Sequence, residues 1–90
     1  MELEQYLEAV VSHGTMPAAV ERMTLVALTH AHVDSGRAVL EDPGALEARA
    51  GVRFGDVWRG LKAAEQLGYA SGVHFDQDAT RLEWALSVPG

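Results

Sequence analysis

The chain has 90 residues, 48% of them apolar, with no cysteine and seven Lys or Arg against thirteen Asp or Glu, a net charge of -6. A chain of this length buries only about 60–65% of its unfolded surface, which allows one core rather than two domains and argues against an enzyme with a deep private pocket. The lack of cysteine excludes disulfides, thiolate zinc sites and cysteine nucleophiles, and fits a reducing cytosol.

The longest apolar run, Leu25 to Leu28, is four residues, where a membrane span needs about 20. The acidic start Met1-Glu2-Leu3-Glu4 has no basic signal-peptide region, so the expected location is cytoplasmic. Global acidity argues against non-specific polyanion binding, unless positive charge is concentrated locally.

Leu3, Tyr6, Leu7, Val10 and Val11 fall on one helical stripe with Glu2, Glu4 and Glu8 between them, which predicts an amphipathic helix ending at His13-Gly14. Thr15 before Met16-Pro17 predicts an N-cap for a second helix, whose apolar spacing through Val20, Met23, Ala27, Leu28 and Ala31 runs as far as Asp34-Ser35-Gly36. Residues 37–41 predict a brief strand that stops at Asp42-Pro43-Gly44. A short helix over 43–50 follows. Gly51 suits the left-handed end of that helix, and Val57, Leu61, Ala64 and Leu67 carry a further helix to Gly68. The period then becomes alternating: Val73 and Phe75 share one face, and Leu82, Trp84, Leu86 and Val88 another, with residues 76–80 as the hairpin turn.

Residues 46–71, LEARAGVRFGDVWRGLKAAEQLGYAS, carry Leu46, Ala50, Gly51 and Val52 at the end of one helix, Val57 and Leu61 on the next, and Leu67-Gly68-Tyr69 before the hairpin. This string resembles the helix-turn-helix of winged-helix DNA-binding domains of bacteria and their phages, both transcription regulators and the N-terminal domains of phage replication proteins. The element order from Pro17 onward agrees with it. The resemblance implies a mainly α fold with a small β-hairpin (α+β), a winged helix-turn-helix over residues 15–90 preceded by an extra helix over 1–14. It also implies sequence-specific binding of double-stranded DNA, as a regulator or a replication or accessory factor, with no catalysis and no cofactor.

The anchoring residues report architecture only. The side chains expected to meet DNA are Arg49, Arg53, Phe54, Gly55, Asp56, Trp58, Arg59 and Lys62, with Arg81 reaching a phosphate from the second hairpin strand. Residues 49–62 hold four cations against Asp56, a local +3, so the remaining three cations and twelve acids leave -9 on the rest. An acidic body with one basic helix favours docking in a single orientation, and arginine suits the major-groove edge of guanine. An ordinary solvated helix face accounts for the same cluster.

Several residues depart from the family pattern. Arg53 stands where a small hydroxyl residue would cap the recognition helix, and Gly55 weakens its start. Phe54 and Trp58, aromatics flanked by arginines, also have the composition of a protein-protein hot spot. The alternative function is therefore an interaction module, an adaptor or inhibitor of a polymerase or replisome component, without DNA binding. Asp76 and Asp78 at the hairpin tip argue against insertion of the tip into a groove.

Other chemistry is sparse. His30 and His32, read as two residues apart on one helix, face about 200° apart and cannot chelate one metal; His32 is expected in solvent and His30 at the edge of the core. No phosphate loop, nucleophile elbow or zinc-protease motif occurs in the sequence. The stripe of Leu3, Tyr6, Leu7, Val10 and Val11 needs a surface to cover it, either the chain's own domain or a second copy, and dimerisation through it, giving a homodimer, is favoured over packing within a monomer.

Overall fold

In the computed structural model, which describes residues 1–89, the acidic first segment forms helix α1 (Leu3–His13). The Gln5 side chain closes its first turn by accepting the Glu2 N–H at 3.2 Å. The stripe divides. Tyr6 and Val10 are buried within the chain's own core, while Leu7 and Val11 are 37% and 77% exposed. Two of the five residues expected to join copies are thus unavailable to a partner: Val10 packs in the core, and the Tyr6 hydroxyl reaches inward to donate to Tyr69 O at 2.7 Å.

Helix α2 (Ala18–His30) starts at Pro17 rather than at a threonine cap. Thr15 instead hydrogen-bonds the Tyr69 hydroxyl through Oγ1, so it ties the α1–α2 connection to a residue 54 positions further along the chain. The expected continuation of α2 to residue 34 does not occur. Ala31 is extended, and the chain enters strand β1 (His32–Asp34) and, after a two-residue turn, β2 (Arg37–Glu41). Ser35 and Gly36 both have positive φ, 53° and 78°, the conformation that a tight hairpin between right-twisted strands requires. The backbone of Met1 also packs so close to Gly36 that a Cβ there would lie 2.8 Å from its nitrogen.

A 3-10 turn over Pro43–Ala45 leads into the short helix α3 (Leu46–Ala50), which ends on Gly51 at φ 67°. Three residues later begins α4 (Phe54–Gln66). It packs on α2 at Gly60, where a Cβ would come within 2.5 Å of Met23 Cβ. Val57, Leu61 and Ala64 are fully buried, as their spacing predicts, but Leu67 is 40% exposed. The helix has already ended at Gln66, and Tyr69 N–H turns back to Ala64 O at 2.8 Å, which carries Leu67 away from the core.

The hairpin is β3 (Ala70–Asp76) and β4 (Arg81–Leu86). All pairings are antiparallel, in the order β1-β2-β4-β3. A bulge between Ser71 and His74 lets Ala70 and Val73 both face the core. Ala38, Leu40, Leu82, Trp84 and Leu86 face the helices, whereas Arg37, Val39, Glu41, Arg81 and Glu83 lie on the open face. Among the described residues the fold is therefore α+β, four α-helices and one four-stranded sheet. No helix among them is long and apolar enough to cross a membrane.

Candidate nucleic-acid interface

The exposed arc of α4 follows from its two buried ones. Val57, Gly60, Leu61 and Ala64 face the core, and a second side leans on β3. There Phe54 meets the Phe75 ring edge-on at 5.2 Å between centroids, Trp58 stacks on Phe54 at 6.4 Å, and Lys62 Nζ sits 5.6 Å from the Trp58 ring centre. Phe54 and Trp58 are half-buried and pack against the core, so they brace the hairpin on α4 rather than stand free on its outer face.

Glu65 completes the brace. Its carboxylate accepts Lys62 Nζ and Val73 N–H, each at 2.8 Å, and these bonds hold its carboxyl below the usual carboxylate range. With 3.6 residues per turn, the outward arc is left to Gly55, Arg59, Ala63 and Gln66, with Lys62 at its margin. Gln66 was not singled out by sequence, yet it is exposed and of a type that reads adenine in a major groove.

Charge is distributed differently from the linear count. Arg59, with 75% of its side chain exposed, pairs with Asp56 one turn back, and Lys62 pairs with Glu65. The two cations and two acids of α4 balance, so the helix itself is neutral. Within residues 49–62 the unpaired positive charge lies at the α3–α4 corner, where Arg49 and Arg53 are exposed without an ion pair among the described residues; Arg22 and Arg37 elsewhere are likewise exposed and unpaired. Arg53 precedes α4 in an extended conformation and makes no capping hydrogen bond. Arg22 of α2, not anticipated as a contact, lines a groove of about 420 Å³ beside Arg59, Asp56 and Gly60.

Arg81 lies away from this arc. It stands opposite Glu41 on β2 and Asp76 on β3, and its Nε is 3.7 Å from Glu83 Oε2, too far for a hydrogen bond. It joins Arg49 in a separate cleft that also includes His30 and His32. Because α2 ends at His30, the two histidines are not on one helix, and both reach that cleft. Among the described residues no group of three or more His, Asp or Glu is placed to hold a metal ion.

At the hairpin tip Asp76 Oδ1 accepts the N–H groups of Asp78 and Ala79 at 3.1 and 3.2 Å. Asp76 therefore shapes the turn, a local role that aspartate commonly fills, and Asp78 is the acid left exposed. A scan against protein-family models and searches of curated proteins and of solved structures found no match to the chain.

Proposed function

We propose that the chain is a winged helix-turn-helix protein that binds duplex DNA through α4 and the α3–α4 corner, as a cytoplasmic regulator or a replication or accessory factor. The observation that carries this reading is the placement of α4. It follows a short helix after a three-residue turn, the hairpin braces it from one side, and its outward arc offers Arg59 and Gln66 with Arg53 at its start. A helix held this way presents side chains at the spacing of major-groove base edges. The resemblance of residues 46–71 to winged-helix domains supports the same reading.

In this reading Asp56 restrains Arg59 until DNA is present, and phosphate or a guanine edge replaces the carboxylate. Fluorescence anisotropy with duplexes selected from a random pool tests it. Arg59→Ala weakens binding by about 1–3 kcal/mol, and Gln66→Ala relaxes base preference. Asp56→Asn strengthens binding by removing a competing charge. No binding to any duplex at low salt overturns the proposal.

The neutrality of α4 and the net charge of -6 favour a second reading, an interaction module for a protein partner. Phe54 and Trp58 contribute less to it than their composition implies, since both are engaged with β3 or with each other.

A further inference from the structure

The cleft that gathers Arg49 and Arg81 is distinct from the outward arc of α4. Its walls come from the end of α2 (His30), β1 (His32), β2 (Val39 and Glu41), α3 (Arg49) and β4 (Arg81), around about 470 Å³. That volume lies within the range of pockets that take small ligands. We propose that this cleft binds a phosphate group.

Four nitrogen-bearing side chains converge there from four elements, and among the described residues none makes a side-chain hydrogen bond, although Arg81 has a long ion pair with Glu83. Among the described residues, His30, His32 and Arg49 have no side-chain hydrogen bond or ion pair. Arg81 Nε is enclosed yet lacks a hydrogen-bond partner. The Arg81 side chain is 38% exposed, so its terminal nitrogens remain open to a ligand while the stem packs at Nε. Its planar array of donors matches the oxygens of a phosphate better than a point charge does.

Glu41 is the one acid lining the cleft. It lies across the β2–β4 ladder from Arg81, and Glu83 Oε2 is 3.7 Å from Arg81 Nε; these two acids offset the Arg81 charge, which leaves Arg49 to attract the anion and the two imidazoles to supply ring nitrogens beside it. Because Glu41 opposes an anion while the arginines favour it, the site makes predictions of opposite sign at neighbouring residues.

The test titrates sulfate, then inorganic phosphate, into the full chain at neutral pH and follows ¹H–¹⁵N NMR shifts. The expected result is saturable shifts confined to His30, His32, Val39, Arg49 and Arg81. Arg49→Ala weakens the site about fivefold, Arg81→Gln does the same where the variant remains folded, and Glu41→Gln tightens it about twofold. Arg37→Ala, on the same face of β2 but outside the cleft, changes nothing. Shifts that do not saturate, that spread over all cations, or that ignore both Arg49→Ala and Glu41→Gln overturn the proposal. Competition then identifies the source of the phosphate. Displacement of sulfate by a short duplex assigns a nucleic-acid backbone, and displacement by AMP but not by the duplex assigns a free phosphate ester. A site that sulfate saturates but inorganic phosphate does not is not a phosphate site. Loss of DNA binding on changing Arg59, with sulfate binding intact, separates this cleft from the α4 reading.

Discussion

Tyr6 holds the N-terminal helix to the body of the protein, and Tyr6→Phe removes only the oxygen that does so. The ring is fully buried, so the substitution leaves the apolar packing in place while losing the 2.7 Å bond to Tyr69 O. Loss of such a bond costs about 1–2 kcal/mol, and in a domain of this size each kcal/mol lowers Tm by roughly 4–8 °C. The same hydroxyl gives the protein an alkaline sensitivity. Burial, and secondarily the neighbouring Tyr69 phenol, push its pKa from 10.0 up to about 12. The folded state therefore keeps a proton that the unfolded chain loses. The stabilisation is complete below pH 10 and disappears as pH rises toward 12, at about 1.4 kcal/mol per pH unit and roughly 2–3 kcal/mol in all. Urea denaturation of wild type and Tyr6→Phe at steps from pH 7 to 11.5 measures both effects. At neutral pH the wild type is the more stable; its advantage shrinks above pH 10 and is gone or reversed by pH 11.5. Parallel pH profiles, or a variant as stable as wild type at pH 7, would refute the reasoning.

Other outcomes follow from equally local geometry. Gly60→Ala forces a methyl against the stem of Met23, and overpacking outweighs the gain in helix propensity for a net loss of about 1 kcal/mol by thermal denaturation; a stabilised variant contradicts the close α2–α4 contact. Glu65→Ala loses the acceptor for Val73 N–H and about 1–2 kcal/mol, whereas Glu65→Gln keeps an acceptor and loses less than about 1 kcal/mol. Because the Glu65 carboxyl is held low, the gap between wild type and Glu65→Ala persists above the carboxylate range and closes as pH falls through it; a gap that widens in acid refutes the assignment. Val10→Glu and Val11→Glu separate the two sides of α1: Val10 is 2% exposed and Val11 77%, so circular dichroism finds the first unfolded and the second folded.

The sequence revealed elements wherever spacing and chain punctuation agreed. Leu3 to Val11 with Gly14, and Val57, Leu61 and Ala64 with Gly68, were legible because apolar period and terminator coincide. The strand over 37–41 was legible and is β2, but β1 and its pairing into a hairpin were not. Ala27, Leu28 and Ala31 continue a helical period to the edge of β1, and Ser35-Gly36 reads equally as a helix stop or as a hairpin turn. Pairing decides it: Val33 and Ala38 are partners in the ladder, a contact whose value no local window contains. Thr15 fails for a similar reason. It has the chemistry of a cap, but its partner is Tyr69, 54 positions away.

The candidate interface divides along the same line. That Arg59 and Lys62 sit on the exposed part of α4 was legible, since Val57 and Leu61 fix which side turns inward. Their neutralisation was legible only in part. Asp56 and Arg59 stand at the i, i+3 spacing at which helical side chains meet, but the other partner, Glu65, lies three residues beyond the basic window. Counted over 49–62 the segment is +3; paired in space, α4 contributes nothing and the charge belongs to Arg49 and Arg53. Which arginines the fold leaves without a carboxylate partner is decided by such pairings, and composition cannot distinguish them. Arg49 meets His30, His32 and Arg81 only because α2 ends early and β2 lies against β4. No spacing rule joins positions 30, 49 and 81, so the cleft exists only in the folded chain.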